Sequence, residues 1–403
     1  LAGKLKILTI ILIILTFAWC SCRQAYNPRP IAAVSNYLVV EGVINTGADS
    51  TIIKLSRTVP LSSKAALKPE LNAIVTLQDD KGDSYIMTEE GKGYYTAPGF
   101  DAIQMANYQM KIATAEGEAY QSDMVQAKNA PAIDSIYYRI KGDGVQVYAD
   151  THDPANNTRY YRWDYDETYQ YRSAFESYFY HAEIPQDTIL PRPLTDGIFI
   201  CYRGDASTSI IVNTSAKLAS DVISQSPITF IASTSEKLES RYSILVKQYA
   251  LTADAFNYFQ QLQKNTEQLG TIFDPQPSEL PGNIHCVTNP SETVLGYLTA
   301  GKPSEKRIFI DNRYLPAWHA STPYEGCKMD TDLYAKPLRG GLIENDVAIY
   351  LFTNTEIPLF AVVPPTGHPV LGFSASSAAC IDCTLRGTNK RPAFWQDEQG
   401  PVF

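Results

Sequence analysis

The sequence predicts a mainly β protein: an N-terminal immunoglobulin-like β-sandwich followed by a larger antiparallel β-rich domain with one or two helices. Three observations carry this. Short runs of β-branched and aromatic residues alternate with polar ones and are cut by turns rich in Asp, Asn and Gly. Only one long stretch has helical spacing. Strands and helices do not alternate along the chain, so a doubly wound parallel sheet is excluded. The composition agrees, with 403 residues, 44% hydrophobic, 26 Tyr and 25 Pro. That length suffices for two or more domains. A formal charge of −9 argues against nucleic acid as a partner.

The first residues stand apart from the fold. Lys4 and Lys6 precede an almost unbroken apolar run over 7–19, followed by Cys20, Ser21 and Cys22. The run is shorter than the roughly 20 residues a spanning helix needs and has the layout of a signal-peptide core. A small residue directly before a cysteine, at the end of such a core, matches a bacterial lipoprotein signal. Cys22, behind Ser21, is the expected lipidation site, and Cys20, behind the bulky Trp19, is the alternative. Residues 1–21 are then a leader, and 22–35, with Pro28 and Pro30, a tether. Several acyl chains on one cysteine would hold the protein to a membrane firmly.

The sandwich is expected over 36–128. "NYLVVEGVIN" (36–45) and "STIIKLSRTV" (50–59) read as strands. "NAIVTLQDDKGDSYIMTEE" (72–90) reads as two strands around a hairpin turn at 79–83, a reading preferred to a cation loop. A second hairpin over 107–125 turns at Glu116 and Gly117. The β-rich domain is expected over 129–403. It opens with a hairpin over 134–154, turning at 142–144. In the aromatic stretch 159–180, Tyr161, Trp163 and Tyr165 alternate with Tyr160, Arg162 and Asp164. That is a strand with one apolar face. Core packing is its default role, and a ligand-facing platform is the alternative for Tyr161, Trp163 and Tyr165.

The helix is expected over 252–269. Thr252 would cap it, Asp254 suits the positive end of its dipole, and Gly270 would stop it. Phe256, Phe259 and Leu262 share one face, so it should pack on a sheet. "ETVLGYLTA" (292–300), "EKRIFIDN" (305–312) and "NDVAIYLFT" (345–353) read as strands, and the tail from Pro364 as loop.

Several long stretches together resemble one family. They are "YLVVEGVIN" (37–45), the region 244–300, "RIFID" (307–311) and "CIDCTLRGTNKRPAFW" (380–395). They are similar to the Bacteroidetes outer-membrane lipoproteins of the domain-of-unknown-function 4249 family. The resemblance implies a lipid-anchored place in the outer membrane and genes near TonB-dependent transporters. A possible partner is therefore such a transporter. It implies no particular activity. Surface lipoproteins of this kind often carry an acidic run after the lipidated cysteine; Arg23 to Asn27 contain none, which favours the periplasmic face over the cell surface.

Once Cys20 is removed and Cys22 is lipidated, Cys201, Cys286, Cys327, Cys380 and Cys383 remain. An oxidising envelope allows disulfides, and an odd number leaves at least one thiol over. Cys380 and Cys383 invite three readings. Zinc needs four ligands, and only His319 and Cys327 could join them through space. A redox centre needs the pair to open a helix after a strand. The reading adopted is a structural lock. One or both cysteines would pin the last loop to an earlier segment such as that of Cys327 or Cys201, with Phe394 and Trp395 in an apolar slot. The pairing itself stays open.

No HExxH arrangement, G-x-S-x-G elbow or phosphate loop occurs. The expectation is thus a non-enzyme, with no catalytic residues, metal or cofactor. It would serve as an accessory or docking subunit of a TonB-dependent uptake system. A glycan- or peptide-binding surface lipoprotein is the first alternative. A hydrolase with scattered carboxylates is the second.

Overall fold

A computed structural model describes residues 36–60, 67–99, 106–184, 186–267 and 280–395. Cys20, Cys22, the leader and the tether lie outside these residues. The chain is mainly β, in several antiparallel sheets.

Two sheets of six strands face each other across the first core. In one, Leu38–Asn45 and Thr51–Arg57 are central, flanked by Tyr94–Ala97 and Thr88–Gly91. In the other, Ile74–Asp79 and Asn107–Ala113 are central, flanked by Ser84–Ile86 and Ala119–Ser122. Period-two alternation explains the packing. Leu38, Val40, Ile53 and Leu55 point inward against Val75, Leu77, Met110 and Tyr120, all nearly or fully buried. Each such side chain contributes roughly 1.5–3 kcal/mol relative to exposure. The turn at 79–83 is an Asx turn, since the Asp79 carboxylate accepts from the backbone N–H of Lys81 at 3.0 Å and of Asp83 at 2.9 Å.

The boundary at 128 needs correction. Ile284–Cys286 pairs with Ala119–Ser122 in one sheet, and Thr299–Gly301 runs parallel to Leu38–Asn45 in the other. Ile284, Cys286, Val294, Leu298 and Ala300 belong to the same core. The first sandwich is therefore completed by a segment that arrives after the helix. An edge strand needs any partner with matching inward residues, and alternation does not encode which one. Arg57 secures this return. Its guanidinium meets Glu70 at 2.6 Å, Glu118 at 2.6 Å and Glu292, from the returning segment, at 3.5 Å.

The second unit is another pair of sheets. Ile133–Lys141, Gly144–His152 and Val222–Ala232 form one. The other has the order Ile200–Ala206, Tyr160–Arg172, Arg241–Ala250, Ser304–Asp311, with Ile211–Thr214 also on Tyr160–Arg172. The helix covers Ala253–Glu267, and the Thr252 hydroxyl accepts from the Ala255 N–H at 3.2 Å as its cap. Gly270 lies outside the described residues. Phe256 and Phe259 bury the helix against the sheet end around Tyr160 and Val212.

Two further readings change near the C-terminus. The run 345–353 contains a π-helical turn, Val347–Leu351, rather than a strand. Short apolar runs cannot separate a buried strand from a buried helical turn. Beyond Pro364 the chain is not all loop: Gly372–Ser377 is the middle strand between Asp330–Leu333 and Glu356–Val362, and a short helix, Ala378–Ile381, follows it.

Candidate functional site

The strand Tyr160–Arg172 of the aromatic stretch turns one face to the core. Tyr161 and Trp163 are 0% exposed and Tyr165 is half-buried. Their polar ends are used internally. The Tyr161 hydroxyl donates to the Asp221 carboxylate. Trp163 Nε1 donates to Gln248 Oε1 at 2.9 Å, and the Tyr165 hydroxyl donates to Thr229 at 3.1 Å. Aromatic rings with satisfied handles are the expected filling of a β core. The ligand-facing reading of these three residues is overturned.

The cysteines form a lock. Cys201 bonds Cys383, and Cys327 bonds Cys380. Cys286 is a free thiol buried in the first core. Cys380 and Cys383 therefore diverge to two different partners. Neither a zinc set with His319 and Cys327 nor a dithiol pair is assembled. Trp395 is buried, edge-on to Tyr202 at 5.0 Å and to Phe309 at 5.5 Å. Phe394 departs from the expected slot: it is 38% exposed and lies under the Arg307 guanidinium at 3.6 Å.

A hollow of about 870 Å³ lies between the two β units. Its first wall is the outer face of the first sandwich. Where Leu38, Val40 and Ile44 point inward, Val39, Glu41 and Val43 point out, joined by Ile52 at 52% exposed. The second wall is the polar side of the aromatic strand. Arg162 and Asp164 lie on it because Tyr161 and Trp163 lie on the other. The register adds Tyr249 opposite Arg162, and Lys247 opposite both Asp164 and Glu305. The helix closes one side with Tyr258, Phe259 and Leu262. At the floor, Val40 N–H donates to Leu295 O at 2.8 Å. The next residue is Gly296, whose φ of +133° and 2.1 Å clearance between an added Cβ and Val40 O leave no room for a side chain.

Several charges of this cleft are matched locally. Arg162 lies between the rings of Tyr249, at 4.7 Å, and Phe259, at 4.6 Å, and donates to Asp164 at 2.8 Å. Its Nε has no protein partner. Lys247 pairs with Asp166 at 2.7 Å, and Lys54 with Glu41 at 2.8 Å. The hydrogen bond to Glu41 holds the Lys54 ammonium above its ordinary pKa. Burial pushes the Tyr249 hydroxyl well up. The hollow has the size of a ligand or peptide site, with apolar patches from Ile52 and Leu262 and paired charges between them. The residues that line it were half visible in sequence, as the polar partners of the alternating aromatics. Nothing in the sequence said that two sheets would face each other there.

Among the described residues no group of three or more His, Cys, Asp or Glu side chains is placed to hold a metal, and no helix is long and apolar enough to cross a membrane. No curated protein matches the chain. The profile of a family described as a domain of unknown function (DUF4249) matches residues 24–307, more than half of the chain, and the chain belongs to that family.

Proposed function

We propose that this chain is a lipid-anchored protein of the bacterial outer membrane, attached through Cys22. In this reading it acts as a non-catalytic accessory or docking subunit of a TonB-dependent uptake system. The cleft between its two β units holds a segment of the transporter. The apolar run over 7–19 ending in Ser21 and Cys22 supports the anchor. The cleft carries the docking role. It is large and mostly apolar, and Glu41, Arg162, Asp164 and Lys247 already have partners, so an extended polypeptide can enter without stranding these charges. The glycan-binding alternative loses the aromatic stretch it rested on.

The test is affinity purification from outer membranes in mild detergent, with wild-type protein and Ile52→Glu. Ile52 is exposed, so the substitution spares the core. A TonB-dependent transporter should accompany the wild type and be lost from the variant. Recovery of the protein alone refutes the docking role. Labelled palmitate that fails to enter the protein while Cys22 is present refutes the anchor.

A further inference from the structure

We propose that the cleft between the two β units selects its segment by a basic side chain, a lysine or arginine, facing Asp49 and Glu305. The inference rests on the docking role and names what the docked segment must carry. The two sides of the cleft are unlike. The helix closes it beside Tyr160–Arg172, where Tyr258, Phe259 and Leu262 offer apolar surface. Ser304–Asp311, at the other edge of the same sheet, carries Glu305 into the lining. Asp49 lines the cleft from the turn between Leu38–Asn45 and Thr51–Arg57. The fold brings that turn to the side of Glu305. Gly301 pairs with Asn45, the Thr46 N–H donates to the Gly301 carbonyl at 3.4 Å, and Ser304–Asp311 follows directly.

The pairing of charges decides what the segment carries. Four carboxylates line the cleft, from Glu41, Asp49, Asp164 and Glu305, against two cations, from Arg162 and Lys247. Glu41 is taken by Lys54 and Asp164 by Arg162, each at 2.8 Å. Lys247 lies opposite Glu305 in register but gives its ammonium to Asp166 at 2.7 Å. Arg307 feels Glu305 through space, yet it donates to the Ser243 hydroxyl at 2.9 Å and lies over the Phe394 ring at 3.6 Å. Asp49 and Glu305 are exposed, and among the described residues neither carboxylate makes an ion pair or accepts a hydrogen bond. A wholly apolar segment would cover both without a partner, at a cost in lost hydration. A lysine or arginine replaces that water with charge-assisted hydrogen bonds, which favours such segments over others. The sheet also sets a spacing. Neighbouring strands lie about 4.8 Å apart, so the strands of Arg162 and Glu305, with Arg241–Ala250 between them, are about 10 Å from each other. An extended chain crosses that distance in about three residues. The cation therefore stands about three to four residues from the apolar side chain that meets the helix.

The experiment pans a phage library of random dodecapeptides against the full chain in detergent. Enriched peptides should carry a lysine or arginine about three to four residues from a large apolar residue, and salt should weaken their binding. Asp49 and Glu305 are exposed, so Asp49→Asn with Glu305→Gln should fold, and it should bind those peptides about tenfold or more weakly. Ile52→Asn, a neutral change in the cleft wall, should weaken them too. Asp83→Asn with Glu116→Gln, exposed carboxylates outside the lining, should not. The proposal is overturned if no peptide is enriched, if the enriched peptides lack a basic residue, if the Asp49 and Glu305 variant binds them as tightly as wild type, or if Ile52→Asn leaves binding unchanged. Co-purification judges the docking role apart. A transporter recovered equally with wild type and with the Asp49 and Glu305 variant keeps docking and overturns this selection. No transporter with wild type refutes docking, while the peptides still decide what the cleft prefers.

Discussion

Arg386 and Glu236, 150 residues apart, meet fork to fork, with Nη1 donating to Oε1 at 2.6 Å and Nη2 to Oε2 at 2.7 Å. The guanidinium also lies over Tyr171 at 5.1 Å and Tyr324 at 5.4 Å. The hydrogen bond to Glu236 outweighs burial and raises the Arg386 pKa further. Three residues earlier, Cys383 is bonded to Cys201 and its carbonyl accepts from the Tyr171 hydroxyl at 2.7 Å. The loop around Cys383 and Arg386 is thus fastened by a covalent bond, an ion pair and two aromatic rings.

Loss of this fork should be felt in stability. Arg386→Ala leaves Glu236 half-buried and unmatched, and should cost about 2–3 kcal/mol in urea denaturation. Arg386→Lys keeps the charge but not the fork and should cost about half as much. An alanine variant within about 0.5 kcal/mol of wild type would mean the pair behaves as an exposed one.

Peptide mapping under non-reducing conditions should recover Cys201 with Cys383 and Cys327 with Cys380. Cys286, buried, should react with iodoacetamide only in denaturant. The bridges span 182 and 53 residues. Chain entropy alone assigns loops of this size about 4–5 kcal/mol, against typical measured effects of about 2–4. Removing either bridge by paired Cys→Ser should lower Tm. Any cross-pairing, or rapid native labelling of Cys286, contradicts the lock.

Asp332 makes a pH prediction. Burial first, then Glu356 and Asp346, raise its carboxyl to about 7. The unfolded chain releases this proton near the ordinary Asp value, whereas the folded chain holds it to near neutrality. Between those values the folded state binds more protons, so stability falls as pH rises through that window. Asp332→Asn removes this penalty. Its Tm should exceed that of wild type at pH 8 by more than at pH 5; an equal difference at both would remove Asp332 as the source.

The returning segment predicts how the chain divides. A fragment covering 36–128 lacks Ile284, Cys286, Val294, Leu298 and Ala300, which fill its core, and Glu292, which faces Arg57. It should give a poorly dispersed amide NMR spectrum. A well-dispersed spectrum from that fragment would show that the first sheets are self-sufficient.

Much of the local structure was legible. Tyr161 and Trp163 alternate with Arg162 and Asp164, and the structure buries the first pair and turns the second to the cleft. Thr252 caps the helix, and Asp79 closes its turn. Residues 345–353 failed because an apolar run of that length fits a strand or a buried helical turn equally. The outer partner of Leu38–Asn45 failed for another reason: Thr299–Gly301 is far away in sequence, and its alternation would satisfy many edges.

The chain by itself therefore determined many of the strands, which face of the aromatic strand is apolar, and where one helix begins. Those are contests between a residue and its nearest neighbours, settled by backbone propensity and solvent. Only the tertiary structure decided that Cys201 meets Cys383, that 284–301 completes the first sandwich, and that the cleft forms around Arg162. Such meetings depend on how whole sheets stack to exclude water, and that energy belongs to the assembled surfaces rather than to any stretch of chain.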